Sequence, residues 1–156
     1  MNTLCLSLAK KIRDQAEAAC ALLELATAGD KDRTGLMAGI PADVLTVRGH
    51  IADIGLSNEL FGVRAGLLDT SMPDDIMAFL NRREAMTADE AANCTTETNE
   101  AMAFQIEQLT DDDLSREATD VFTGETGTLL DVLLHVIEHH GVHLGKARQI
   151  LHAAGV

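Results

Sequence analysis

Tryptophan and tyrosine are missing from this chain, and four phenylalanines make up its whole aromatic content. A core must therefore be built from Leu, Ile, Val, Ala and Met, a palette that favours helices over sheets. Proline is almost as scarce: Pro41 and Pro73 are the two present, so few helices can be interrupted from within. The three cysteines, Cys5, Cys20 and Cys94, form no CxxC pair. They make neither a disulfide framework nor a zinc knuckle, which fits a reducing compartment. Basic residues are outnumbered, 12 against 25 acidic, for a net charge of −13, and they are scattered. Nucleic acid needs a basic stripe to displace counterions, so that partner is excluded, and an anionic membrane surface is disfavoured. No apolar run has the length needed to span a bilayer, and the first residues place their charges after an apolar patch, the reverse of a signal peptide. A cytoplasmic location is expected.

What is present is apolar and periodic. Hydrophobic residues reach 46%, too many for a disordered chain, and 156 residues suit one domain spanning 1–156. From Thr3 to Ala28, Leu4, Leu8, Ile12, Ala16, Ala19, Leu22, Leu23 and Ala26 recur at helical spacing, with Asn2 or Thr3 as cap and Gly29 as stop. A glycine-rich connection follows. A second helix is expected from about Asp43 to Leu68, with His50, Asp53 and Ser57 on one side. Its glycines, Gly49, Gly55, Gly62 and Gly66, either permit close helix packing or leave room beside a site. Pro73 suits a first helical turn with Ser71 near the cap, opening a short helix over MAFLNRREAM. Thr87 and Glu90 have capping-box spacing and start a third long helix through Met102, Ile106 and Leu109. The acidic stretch TDDDL begins a turn or short helix. Residues 115–127 read as an extended connection with a strand-like piece at Ala118–Phe122, and the last helix runs from Thr128 to Ala153. Four long helices with longer connections predict an all-α, up-down-type four-helix bundle.

The stretch LLHVIEHHGVHL in the last helix holds four of the six histidines. His135, His139 and His143 are four apart and so form a ladder; an i, i+4 pair can chelate one divalent ion from adjacent turns. A third ligand is expected from another helix, where His50 and Asp53 are the candidates. Two histidines with Asp53 would make a two-His, one-carboxylate set, a pattern also used by oxygen-activating iron enzymes; three histidines would resemble a hydrolytic zinc site. Glu59 and Glu138 read as solvated groups. No GxSxG, P-loop or GxGxxG pattern is present, so neither nucleophile-elbow hydrolysis nor nucleotide binding has a motif behind it.

These residues resemble the DinB/YfiT-like family of metal-binding four-helix bundles. EHHGVHLGKARQILHAAG in the last helix is similar to that family's His-x-x-x-His segment, and TVRGHIADI to its second-helix opening. The family's second-helix histidine falls on Asp53 in this register, and its usual tryptophan is replaced by Leu45. The resemblance implies His139 and His143 as ligands, with either Asp53 or His50 as the third. Sliding the ligand position from Asp53 to His50 moves it about 4.5 Å along the helix, more than metal–ligand distances tolerate, which favours Asp53. It also implies a homodimer holding Zn or Ni, with Fe or Mn as alternatives, and a small-molecule substrate such as the low-molecular-weight thiols bacillithiol or mycothiol. The function expected is a metal-dependent enzyme of thiol-transferase, isomerase or hydrolase type. The alternative is a non-catalytic metal-binding or dimeric interaction protein with a degenerate site.

Overall fold

The computed structural model describes residues 2–29, 32–37 and 45–156. Four long helices form the bundle: α1 (Thr3–Thr27), α2 (Val47–Arg64), α4 (Ala88–Glu107) and α6 (Leu129–Ala153). Between them lie α3 (Ile76–Asn81) with a following 3-10 turn at Arg82–Glu84, α5 (Asp111–Ser115), and a hairpin of β1 (Glu117–Thr119) with β2 (Thr126–Thr128). α1 and α2 each pack against α4 and α6 and lie diagonally from one another. Cross-helix contacts give the directions. Asn2 meets Asp111 and Arg13 meets Glu100, so α1 and α4 are antiparallel. Thr95 donates to the Ile51 carbonyl and Asn58 to Asn99, so α2 and α4 run parallel. α6 is parallel to α1 and antiparallel to α2, and the bundle is up-down-down-up.

Local chemistry accounts for the element ends. Asn2 caps α1, accepting from the N–H groups of Leu4 and Cys5. Every apolar position expected on α1 is buried except Leu4, which is exposed. α2 starts at Val47; Asp43 and Val44 lie outside the described residues. Its first-turn N–H groups are taken up by the carbonyls of Leu36 and Thr34, while the Glu84 carboxylate accepts from Thr46 N and Oγ1. It ends at Arg64 rather than Leu68, because Gly66 (φ +70) turns left-handed and the Leu67 and Gly66 N–H groups fold back onto Gly62 and Val63. Pro73 lies ahead of α3 instead of in its first turn: Asp75 is the cap, accepting from Ala78 N. The Thr87–Glu90 capping box forms, and α4 stops at Glu107, two residues before Leu109. Thr110–Asp113 and Thr128–Asp131 make two more boxes with the shorter Asp in the acidic place. The strand-like piece is β1, shifted to Glu117–Thr119; its C-terminal part becomes the hairpin turn, where Asp120 Oδ1 accepts from the N–H groups of Phe122 and Thr123.

α2 is the interior helix, with 14 of its 18 residues buried, so it must be approached closely from both sides. Gly55 meets this demand. A Cβ there would lie 2.8 Å from Thr95 N and 2.9 Å from Cys94 C, inside the backbone of α4. Close packing, not space for a site, explains that glycine. Polar tethers cross the same core: Asn99 reaches the Ile12 carbonyl, and Gln15 donates to the Ile137 carbonyl while its Oε1 faces His140 Nδ1. His140 is therefore a core residue, and burial, aided by the nearby His139 and His143, pushes its pKa down to about 3. Gly55→Ala is expected to destabilise the fold by about 1–3 kcal/mol through overpacking. Gly145→Ala, where a Cβ meets nothing within 4 Å, should be neutral or stabilising by up to ~1 kcal/mol. Urea unfolding of the two variants beside the parent protein reads the contrast, and equal effects would contradict this packing account.

Candidate metal centre

Antiparallel packing of α2 on α6 brings Asp53 opposite the last two rungs of the histidine ladder. His139 Nε2 and His143 Nε2 each lie 3.0 Å from Asp53 Oδ1. Two donors bound about 2.1 Å from one ion stand roughly 3.0–3.4 Å apart, so these separations match donors that share a cation. Asp53, His139 and His143 offer donor atoms all within 4.8 Å of one another. The residues present thus fit a divalent ion, and two imidazoles with one carboxylate oxygen suit Zn, Ni, Fe or Mn.

The surroundings hold each donor in place. Asp53 is 4% exposed; its Oδ1 also accepts from Ser57 Oγ at 2.8 Å, one turn further along α2. Its other oxygen, Oδ2, accepts from Arg83 Nη1 at 2.5 Å, reaching in from the 3-10 turn. Burial alone would raise the Asp53 carboxyl, but hydrogen bonds from His139, His143 and Ser57 outweigh it and hold the group far below the usual carboxylate range. His139 is boxed by rings: Phe122 lies nearly parallel to it at 5.6 Å, and Phe61 and His143 stand at steep angles.

His50 lies elsewhere. Its Nδ1 is 2.9 Å from Nδ1 of His143, on the edge of that ring opposite the Asp53 contact. It stands behind His143 rather than beside His139. His135, the first rung of the ladder, turns instead to Asp120 Oδ2, pairing α6 with the hairpin turn. The Asp120 carboxyl is held below its usual range: burial would raise it, and the bonds from His135 and the Thr123 and Phe122 N–H groups prevail. A cavity of about 400 Å³ opens beside this pair, lined by Asp120, Thr123, Glu125, Asp131 and His135 among others. Glu138 is exposed, and half-buried Glu59 lines a separate cavity of about 520 Å³ with Cys94, whose thiol is pushed up to about 11, first by burial and then by Glu59.

Sequence reasoning missed Arg83, Phe122 and the Asp120–His135 pair. Arg83 is 30 positions from Asp53 and carries no spacing signal; only the fold of α3 and its turn against α2 brings it in. Asp120 and Phe122 had a weak signal, an Asp four residues before a turn glycine, Gly124. Ser57 shared the expected helix side with Asp53 but had no assigned role.

No protein-family model matches the sequence, and no curated protein matches it either. Among solved structures, the crystal structure of a DinB-like protein from Bacillus cereus is similar, with a TM-score of 0.63 at 18% identity, over 90% of this chain and 86% of that one. An identity that low speaks for the fold. The helix packing and this likeness agree: the chain has the DinB-like four-helix-bundle fold, with a His-His-Asp cluster set between α2 and α6.

Proposed function

We propose that this protein is a metal-dependent enzyme acting on a small molecule, of the thiol-transferase, isomerase or hydrolase type, with Asp53, His139 and His143 holding one divalent ion. The observation that carries this reading is the convergence of three donor atoms from two helices on one point, with Asp53 Oδ1 3.0 Å from each nitrogen. Three protein ligands leave a coordination position for water or substrate, the arrangement of catalytic rather than structural sites. When bound, such an ion lowers the pKa of a thiol or water, so that thiolate or hydroxide is held at neutral pH.

The protein's own groups have distinct tasks. Ser57 and Arg83 fix the Asp53 rotamer, one through each oxygen, so that Oδ1 is the oxygen turned to both histidines and placed to hold an ion. His143 used through Nε2 carries its proton on Nδ1, where His50 Nδ1 at 2.9 Å is the acceptor; His50 thus sets the tautomer and angle of the ligand. Phe61 and Phe122 exclude water from one side of His139. One feature favours the alternative of a degenerate, non-catalytic site: the Arg83 guanidinium already neutralises Asp53. It does so on the oxygen that the histidines do not face, which leaves Oδ1 for an ion.

The same reading includes a homodimer. The dimer expected from the resemblance buries part of the first and second helices; α1 supports it with exposed Leu4, Leu6 and Leu25, whereas 14 of the 18 residues of α2 are already buried within the chain. A single 16.7 kDa species in sedimentation at micromolar concentration contradicts the dimer. No helix among the described residues is long and apolar enough to cross a membrane.

Protein purified without tag or added metal is expected to carry, or take up, about one equivalent of divalent ion, and the His139→Ala/His143→Ala double variant none. Asp53→Ala should weaken affinity by more than about 100-fold, and His50→Ala by about 10–100-fold, the usual loss for a group that orients a ligand. Elemental analysis and chelator competition at fixed pH measure both. Full metal content in the double variant overturns the site, and a larger effect for His50 moves the ligand there.

A further inference from the structure

Arg83 holds more capacity than its ion pair uses. Its guanidinium presents five N–H donors, and only Nη1 has a partner among the described residues, Asp53 Oδ2. The side chain is 20% exposed, beside His139 at 22% and His143 at 12%, while Asp53 beneath them is 4% exposed. Arg83 is thus partly open to solvent, as are the two histidines that share Asp53 with it. The neighbouring acid does not quench it: Glu84 is turned to Thr46 at the start of α2.

Charge and shape then define what fits. A divalent ion, the Asp53 carboxylate and the Arg83 guanidinium together leave two positive charges at this point, in a chain whose net charge is −13. A planar fork of N–H donors matches a planar two-oxygen anion, which a lysine would meet only as a point charge. The neighbouring wall is apolar: Phe122, 39% exposed, lies against the His139 ring. From this arrangement we propose that Arg83 recognises a carboxylate on the substrate, and that the substrate class is a small carboxylate with an apolar body, seated between Arg83, the ion position and Phe122. The proposal rests on the metal reading given above.

The test is calorimetric titration of zinc-loaded protein with benzoate, with its neutral isostere benzamide, and with inorganic phosphate. The parent protein is expected to bind benzoate at least about tenfold more tightly than benzamide or phosphate. Arg83→Gln, with zinc content retained, should lose most of that preference while benzamide binding stays unchanged. Arg83→Lys, which keeps a cation beside Asp53 and so protects the fold, should fall between the two. Equal benzoate affinity in the parent and both zinc-loaded variants overturns the carboxylate role, as does phosphate binding as tightly as benzoate. Zinc content and benzoate binding falling in proportion would mark Arg83 as a support for Asp53 alone, and also overturns it. A parent protein that takes up no zinc overturns the metal reading itself, and the proposal with it.

Discussion

A carboxylate held away from water is costly unless every lone pair finds a partner, and Asp53 is such a group. Its partners come from three separate parts of the chain: Ser57 on its own helix, His139 and His143 on α6, and Arg83 from the turn before α4. Each contact fixes something beyond the charge. The histidine contacts set the register of α2 against α6. The Arg83 contact pins the turn that delivers the chain to α4. Removing a partner from a buried pair of this kind typically costs about 3–5 kcal/mol, because the remaining charge is left uncompensated. Fold and site are in this way one problem, solved around one side chain.

That solution requires α2 to run through the interior with polar cargo on board. Its buried residues include His50, Asp53, Ser57 and Asn58 among the apolar ones, which leaves little room for an ordinary amphipathic stripe. Glycine makes the position tenable, since the backbone of α4 passes where a Cβ of Gly55 would stand. The end of the bundle beyond the site is closed differently. There the hairpin turn is organised by Asp120, which also takes His135, so the aromatic cover at Phe122 and the first histidine of the ladder are tied to one carboxylate. The ladder thus serves two acids, Asp120 at its start and Asp53 at its end.

Much of this was legible from the residues alone, for identifiable reasons. Helices α1 and α6 announce themselves by long apolar periodicity, and the Thr87–Glu90 box marks the start of α4 to the residue. The nearness of His139 and His143 follows from i, i+4 geometry, which needs no tertiary information. Spacing alone leaves His50 and Asp53 as equal candidates; it is the resemblance to the DinB/YfiT-like family, aligned at Thr46, that puts Asp53 at the ligand position. The contact of His50 with the far edge of His143 depends on how deeply α2 sinks into the bundle, and spacing does not report that. Arg83 and Asp120 belong to connecting segments: Arg83 follows α3, where Pro73 precedes the helix and Asp75 caps it instead, and Asp120 sits in the turn between β1 and β2. The buried His140, adjacent to a ligand candidate, serves packing; only its place on the α1-facing side of α6 separates it from its neighbour.

The central claim is that one carboxylate and two imidazoles, and no third imidazole, define the centre. X-ray absorption of the zinc-loaded protein counts imidazole ligands directly from their outer-shell scattering. The account predicts two imidazoles with nitrogen at about 2.0–2.1 Å and the remaining positions filled by oxygen. Three imidazoles would place His50 on the ion and contradict it, and a sulfur donor or a site with no imidazole at all would contradict it outright.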